Sequence, residues 1–121
     1  MGFELPDIQT EQEVAALVMA FYETVKHDDL IGPYFQRLNW EDHLPKMIHF
    51  WSFVLLDKPG YTTQVFEKHM HMRLDKIHLD RWVELWTRAV SERHAGPHAD
   101  LAIQRARLLG WTFSEKMKTN P

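Results

Sequence analysis

The sequence predicts an all-α protein of about four main helices, folded as a single domain that spans all 121 residues. Three observations predict this class. Apolar residues recur at helical spacing in four stretches, and signals that start or stop a helix flank these stretches. No stretch shows the convincing alternation of apolar and polar residues that a half-buried strand requires. Within this domain, 1–121, residues 1–9 are predicted to be a short segment that leads into the first helix.

The first helix is predicted over residues 11–27. Thr10 and Glu13 have the spacing of a capping box, in which the two side chains satisfy free amide groups at a helix start. An apolar face follows at helical spacing, formed by Val14, Leu17, Val18, Phe21 and Val25. The helix is expected to end near residues 27–29, and Gly32 and Pro33 predict a turn before the next aromatic residues.

The second helix is predicted to begin between Asn39 and His43. We expect Asp42 to be its cap, because that choice places Pro45 in the first turn, where a missing amide costs nothing. Two apolar stripes run along the helix, so it is expected to lie between two layers. The stripes are Leu44, Ile48, Trp51, Leu55 and His43, Met47, Phe50, Val54. Residues 57–60, Asp-Lys-Pro-Gly, predict its end.

The second half of the chain predicts a short helix around residues 63–70, followed by a loop and two longer helices. Asp75 is expected to cap the first of these, whose apolar positions are Leu79, Trp82, Val83, Trp86, Ala89 and Val90. Gly96 and Pro97 are expected to begin the last helix, because proline suits a first helical position. Small residues on its buried side predict close helix packing.

Composition excludes several classes of function. A net charge of −3 gives no indication of nucleic acid or of an anionic membrane as partner. No run of about 18 apolar residues is present, and the acidic start is unlike a secretory signal, so a cytoplasmic protein is expected. The chain has no cysteine, but it has five Trp, seven Phe, six Met and eight His. This excess suits a pocket for a flat apolar group that contains a metal.

His69 is the first candidate metal ligand. A neutral imidazole is the usual protein donor to haem iron, and a single such ligand leaves the opposite face of the iron open to a gas. The alternative is a partly exposed surface histidine. His69 and His71 with Met70 and Met72 also permit a copper or zinc carrier, because imidazole and thioether groups suit copper. A further alternative is a haem-free helical interaction module whose aromatic residues are plain core.

Two aromatic residues have both a structural and a functional interpretation. Tyr22 lies beside the apolar face of the first helix, where its hydroxyl either bonds to a backbone carbonyl or points to a ligand in a dry pocket. The indole N–H of Trp82 can only donate, so it needs a partner when buried. His43 either gates a pocket, donates a hydrogen bond or is simply a polar residue at a helix start. Lys46 and Lys68 are solvated charges or partners of a cofactor carboxylate.

Taken together, these residues resemble the truncated haemoglobins, and specifically their third group, over roughly residues 10–117. The matching pieces, in order, are Phe21-Tyr22, Gly32-Pro33-Tyr34-Phe35, His43 with Phe50-Trp51, Lys68-His69, the block from Asp80 to Trp86, and Gln104-Arg105-Ala106. The paired glycines of the first two groups are missing, which favours the third. The resemblance implies a shortened globin fold, a two-over-two helical sandwich around one haem b.

Carried over to this sequence, the resemblance implies a role for each matching residue. His69 is the proximal iron ligand, with His71 as its rival. The distal pocket is formed by Tyr22, His43, Met47 and Trp82, with Tyr22 and Trp82 as hydrogen-bond donors. The predicted cofactor-binding residues are Phe35, Lys46, Phe50, Trp51, Tyr61, Lys68 and Met72. Met47 occupies a site more often branched aliphatic, which makes the inner pocket more flexible.

The implied ligands are the diatomic gases O₂, NO and CO at a five-coordinate iron. The resemblance permits oxygen binding and transport, nitric-oxide dioxygenation, peroxidase-like chemistry or sensing, with an unidentified reductase as partner if the protein is catalytic. Two distal donors would slow oxygen release by orders of magnitude, since each ~1.4 kcal/mol is a factor of ten in rate. Redox chemistry or scavenging is therefore expected over bulk oxygen delivery, by a protein expected to be a monomer.

Overall fold

The computed structural model describes residues 4–36, 39–58 and 75–119, with side chains described up to residue 115. Within these ranges the chain forms five helices and no strand: α1 (Glu11–Lys26), α2 (Gly32–Phe35), α3 (Trp40–Leu56), α4 (Lys76–Arg93) and α5 (Pro97–Thr119). The prediction of an all-α protein is confirmed. The helix predicted around residues 63–70 lies outside the described ranges, as do Tyr61, Lys68, His69, Met70, His71 and Met72.

Helix α1 forms as its sequence predicts. The amide of Glu13 donates to the Thr10 hydroxyl over 3.1 Å, and the amide of Thr10 donates to the Glu13 carboxylate over 3.1 Å. These reciprocal bonds satisfy amide groups that the first helical turn leaves free. The buried face of the helix consists of Val14, Leu17, Val18, Phe21, Tyr22 and Val25.

Asp28 joins the end of α1 to α4. One carboxylate oxygen accepts from the amides of Leu30 and Ile31, each at 3.1 Å. The other accepts from Arg81, whose Nη2 and Nε lie at 2.7 and 2.9 Å. Burial by itself would raise the pKa of Asp28, but the bonds from Arg81 and from the two amides outweigh it and lower the pKa below its usual range. The carboxylate therefore stays charged and holds the two helices together.

Helix α3 begins within the predicted range of Asn39 to His43, but before the favoured cap. Asn39 is its N-cap and Trp40 its first residue, so the prediction of Asp42 as the cap is wrong by three residues, and Pro45 lies inside the helix. The physical reason is tertiary: Trp40 packs its ring against α1, and this contact extends the helix by most of a turn. The helix ends as predicted, at Asp57, which adopts the left-handed conformation with φ 58°.

The starts of α4 and α5 agree with the sequence. Asp75 is the N-cap of α4, and its amide donates to Nδ1 of His78 over 3.0 Å. Helix α5 begins at Pro97, directly after Gly96, whose φ of 132° is one that residues with a side chain rarely adopt.

The first turn of α5 is capped by the lead-in segment. The Asp7 carboxylate accepts from the amide of His98 at 3.0 Å and from the amide of Ala99 at 2.9 Å. Burial would raise the pKa of Asp7, but the amide bonds outweigh it and lower the pKa. Residues 4–9 are thus part of the packed structure, and their carboxylate complements the positive end of the last helix.

The helices form two layers, with α1 and α3 in one and α4 and α5 in the other. Helix α1 packs against α3 and α4, and α4 packs along α5. Trp86 lies where the layers meet and is fully buried. Its ring stacks on Trp51 at 4.4 Å and meets the edge of Phe21 at 5.1 Å, while its N–H donates to the carbonyl of Ala102 over 3.1 Å. No helix described here is both long and apolar enough to cross a bilayer.

Candidate functional site

The candidate site is centred on a hydrogen bond between α1 and α3. The Tyr22 hydroxyl oxygen lies 3.2 Å from Nε2 of His43, and only 4% of Tyr22 is exposed. Tyr22 reaches this position because it follows Phe21 on the buried face of α1, and His43 because it lies on the first turn of α3, which crosses α1. The structure thus brings together two of the four residues predicted for the distal pocket.

Aromatic rings surround the Tyr22 phenol. Its centroid lies 4.9 Å from that of Phe21, 6.1 Å from Phe35, 4.8 Å from Trp40 and 5.3 Å from His43. Burial in these surroundings raises the pKa of Tyr22 far above its usual value. The hydroxyl therefore keeps its proton throughout the physiological pH range and is available as a hydrogen-bond donor.

The tautomer of His43 decides what the Tyr22 hydroxyl can do. When the imidazole proton is on Nδ1, Nε2 accepts and the hydroxyl proton is used within the pair. When the proton is on Nε2, His43 donates to the phenol oxygen, and the hydroxyl proton is free to bond to a third group. In the second arrangement His43 also polarises the phenol, which makes Tyr22 a stronger donor.

The remaining predicted wall residues are buried and apolar. Met47 and Phe50 follow His43 along one face of α3, and Phe35 lies on α2; all three are buried. Trp51 is also buried, with its ring stacked on Trp86 between the two layers and 5.1 Å from the ring of Phe50. These predicted site residues therefore contribute buried surface made mostly of carbon.

Two predicted site residues lie at the margin of this wall. Trp82 is half-buried on α4, and its ring meets the edge of Phe21 at 6.0 Å. Phe21 in turn contacts the Tyr22 ring, so it lies between Trp82 and Tyr22 in this chain of ring contacts. Lys46 lies on the exposed side of α3 with its ammonium 3.0 Å from the Asp42 carboxylate. This is an ordinary i, i+4 ion pair, worth little to stability.

Trp40 also belongs to the candidate site, although it was not among the residues predicted from the sequence. Its ring lies against Tyr22 and also 5.7 Å from the His43 ring. The signal was present, because residues three apart on a helix share a face and Trp40 precedes His43 by three. It was missed because the helix was expected to begin after Trp40.

The predicted iron ligand His69 and its rival His71 lie outside the described ranges, so their assignment stays a prediction. The same holds for Tyr61, Lys68 and Met72 as cofactor contacts. In residues 4–36, 39–58 and 75–119, no cluster of three or more acidic or histidine side chains is placed to hold a metal ion.

Two helix pairs with a buried tyrosine bonded to a half-buried histidine between α1 and α3 are the architecture of a shortened globin. Comparison with solved structures confirms this class: the crystal structure of group III truncated hemoglobin from Campylobacter jejuni matches with a TM-score of 0.81. The match covers 97% of this chain and 95% of that one at 24% identity. The fold is therefore that of a truncated globin.

A sequence comparison identifies a curated relative with the same description. The group 3 truncated hemoglobin ctb of Campylobacter jejuni is 24% identical over 114 residues, which are 88% of this chain and 90% of that protein. No protein-family model matches the sequence. The resemblance to the third group of truncated haemoglobins, inferred above from the ordered set of motifs, is confirmed by both likenesses.

Proposed function

We propose that the protein binds one haem b, with His69 as the proximal iron ligand, and takes O₂, NO or CO on the distal side beside Tyr22 and His43. The observation that carries this proposal is the 3.2 Å contact between the Tyr22 hydroxyl and Nε2 of His43 in a buried, otherwise apolar wall. The truncated-globin fold and the likeness to the Campylobacter jejuni proteins support a globin-type ligand-binding function.

The described residues fit such a group. A porphyrin is flat and apolar, and Phe35, whose ring lies 6.1 Å from that of Tyr22, offers buried carbon surface, as do Met47 and Phe50 on α3. The donor set is also suitable, because a neutral phenol and an imidazole stabilise partial negative charge on a small ligand without adding a full charge to the pocket. When bound, haem would supply an iron atom that can take a diatomic gas as ligand.

The protein side chains then orient and hold the gas. Tyr22 donates its hydroxyl proton to the ligand, while His43, with its proton on Nε2, donates to the phenol oxygen and fixes the direction of that hydroxyl. The surrounding rings exclude water, which would compete for the same donor. Trp82 adds a second donor from α4 in this proposal.

Two distal donors favour retention of oxygen over delivery. A hydrogen bond to a partly charged ligand is worth about 1.5–3 kcal/mol, and each ~1.4 kcal/mol slows release tenfold. We therefore propose redox chemistry on O₂ and NO, such as nitric-oxide dioxygenation or peroxidase-like turnover, or scavenging. Catalytic turnover would need an electron donor, for which we propose a reductase partner. The protein is proposed to act as a monomer.

Metal and porphyrin analysis of the purified protein tests this proposal. We expect about one iron and one porphyrin for each chain, with the strong Soret band of a porphyrin whose iron is held by a single imidazole. Copper or zinc without porphyrin would identify the His69 and His71 metal carrier instead. A colourless, cooperatively folded protein from haem-replete cells would identify a haem-free helical interaction module.

Removal of either distal donor is expected to speed O₂ release. Tyr22→Phe and Trp82→Phe should each raise the dissociation rate roughly tenfold or more, because each loses one bond of about 1.5–3 kcal/mol. His43→Leu should raise it less, since the Tyr22 hydroxyl remains but loses the partner that directs it. Stopped-flow mixing of the oxygenated protein with an oxygen scavenger measures all three rates.

The same series can overturn the assignment of donors. If Tyr22→Phe leaves O₂ release unchanged while His43→Leu speeds it strongly, His43 is the principal donor. The pocket would then resemble that of an oxygen-storing globin, and the redox or scavenging role would lose its main physical support.

A further inference from the structure

A groove leads from the surface to Tyr22 between α1 and the first turn of α3. Its volume is about 290 Å³, and its lining combines the apolar side chains of Met19, Ala20 and Leu44 with the charged side chains of Glu23 and Lys26, which form an ion pair at 3.1 Å. Met19 is 55% exposed, whereas Tyr22, which also lines the groove, is only 4% exposed. The groove therefore has an outer end at solvent and an inner end at the phenol of the candidate site.

Trp40 covers the inner end of this groove. Its ring stands edge-on to Tyr22 with centroids 4.8 Å apart and edge-on to His43 at 5.7 Å. The Lys26 ammonium lies 5.9 Å from the centroid of the same indole, at a distance suited to a cation–π contact. A movement of Trp40 away from α1 would uncover the Tyr22–His43 pair to the groove.

The helical turn that carries Trp40 lacks two of the bonds that commonly hold a helix start. Asn39 is the N-cap residue but makes no side-chain capping bond, so its helix start lacks one common anchor. Pro45 has no amide proton, so it cannot donate to the carbonyl of Glu41, and its ring crowds that carbonyl. Trp40 and His43 both lie in this first turn, on the N-terminal side of the proline, where one bond of the helical ladder is missing.

We propose that this groove is the port through which small uncharged gases reach the distal side, and that Trp40 is its door. The proposal rests on the proposed function, because it concerns access to the same pocket. The chemical class follows from the lining, which is mostly carbon apart from the paired charges of Glu23 and Lys26. An apolar diatomic loses almost no hydration on entering, whereas an anion would have to leave its water and would meet an ammonium group that a carboxylate already neutralises. The groove also offers such a gas a transient binding site before the door opens.

Trp40→Ala removes the door and is expected to raise the association rate of CO roughly tenfold, because the closed state loses the edge contacts that populate it. CO is the probe because it does not oxidise the protein, and laser photolysis of the CO complex measures its return. Trp111→Ala is the matched control, since Trp111 is 64% exposed on α5 and does not line this groove. The control should leave the association rate unchanged.

Pro45→Ala is expected to have the opposite effect on the CO association rate while leaving the Trp40 side chain unchanged. Alanine restores an amide that can donate to the Glu41 carbonyl, so the first turn of α3 should open less often. We expect several-fold slower CO association. Hydrogen exchange of the amides of residues 42–44, measured by NMR, should slow by a similar factor in this variant, and this readout does not depend on ligand binding.

The outcomes separate the port from the proposed function. A protein that holds no haem contradicts the proposed function and the port with it. If haem and CO bind normally but Trp40→Ala and Pro45→Ala both leave the association rate unchanged, the port alone is wrong. If only His43→Leu raises the rate, gases pass beside the histidine without using the groove, and the port is again wrong.

Discussion

His69→Gly is expected to release the haem from an otherwise folded protein. The iron–imidazole bond is the only coordinate bond that the proposed site offers, and even changes to residues behind a metal ligand cost about 10–100-fold in affinity. We therefore expect haem loss to accelerate by roughly a hundredfold or more. The haem-to-protein ratio after gel filtration measures retention, and circular dichroism of the same samples reports on the helices.

Three companion measurements identify the ligand. Free imidazole should restore the Soret band of His69→Gly, because it can occupy the vacated position on the iron. His71→Ala tests the rival ligand. His27→Ala is the control, because the His27 side chain is 79% exposed to solvent. Loss of haem in His71→Ala with retention in His69→Gly would exchange the two assignments.

Trp86→Ala is expected to cause the largest loss of stability. The side chain is fully buried between the two layers, stacked on Trp51 and bonded to the Ala102 carbonyl. Replacing a buried tryptophan by alanine costs about 3–5 kcal/mol, since the surrounding helices cannot fill the cavity. For a chain of this size the midpoint of thermal unfolding should fall by roughly 10–20 °C, as measured by circular dichroism.

The exposed Trp111 provides the matched control for this substitution too. Trp111→Ala removes the same atoms from a side chain that is 64% exposed, so its effect should stay within about 0.5 kcal/mol. Trp86→Phe keeps a ring against Trp51 but loses the indole N–H. Its free energy of unfolding should therefore lie between those of the two alanine variants. Equal stability of Trp86→Ala and Trp111→Ala would show that the Trp86 contact between the two layers contributes little to the stability of the fold.

Local signals in the sequence predicted most of the fold correctly. The capping box at Thr10 and Glu13, the cap at Asp75 and the start of the last helix at Pro97 are all confirmed. These signals depend on a few neighbouring residues and on helical periodicity, which tertiary contacts reinforce here. The class of the fold followed from them, and its identity as a shortened globin followed from the ordered motifs.

The start of α3 could not be predicted in the same way. The pattern favoured Asp42 as cap because proline is best tolerated in a first turn. The contact of the Trp40 ring with Tyr22 begins the helix earlier, and a contact between residues 18 positions apart is not visible in local sequence. The same contact made Trp40 part of the site, so one error in a helix boundary also concealed a functional candidate.

The direction of the Tyr22 hydroxyl was also beyond the reach of the sequence. Periodicity placed Tyr22 beside an apolar face, and both a packing role and a donor role were consistent with that position. The structure supplies the distance to His43 and the ring contacts of the phenol. Side-chain partners on different helices depend on how the helices cross, and a one-dimensional pattern does not contain that angle.

The cap on α5 joins the beginning of the chain to its last helix. The carboxylate that caps this 23-residue helix belongs to Asp7, 91 positions before the His98 amide that it accepts from. Bringing Asp7 to His98 closes a loop of the whole intervening chain, which costs conformational entropy. We therefore expect this contact to form late, after the two helix layers have assembled. The longest helix thus acquires its N-terminal cap only when nearly the whole chain is in place, which makes its first turn a reporter of complete folding.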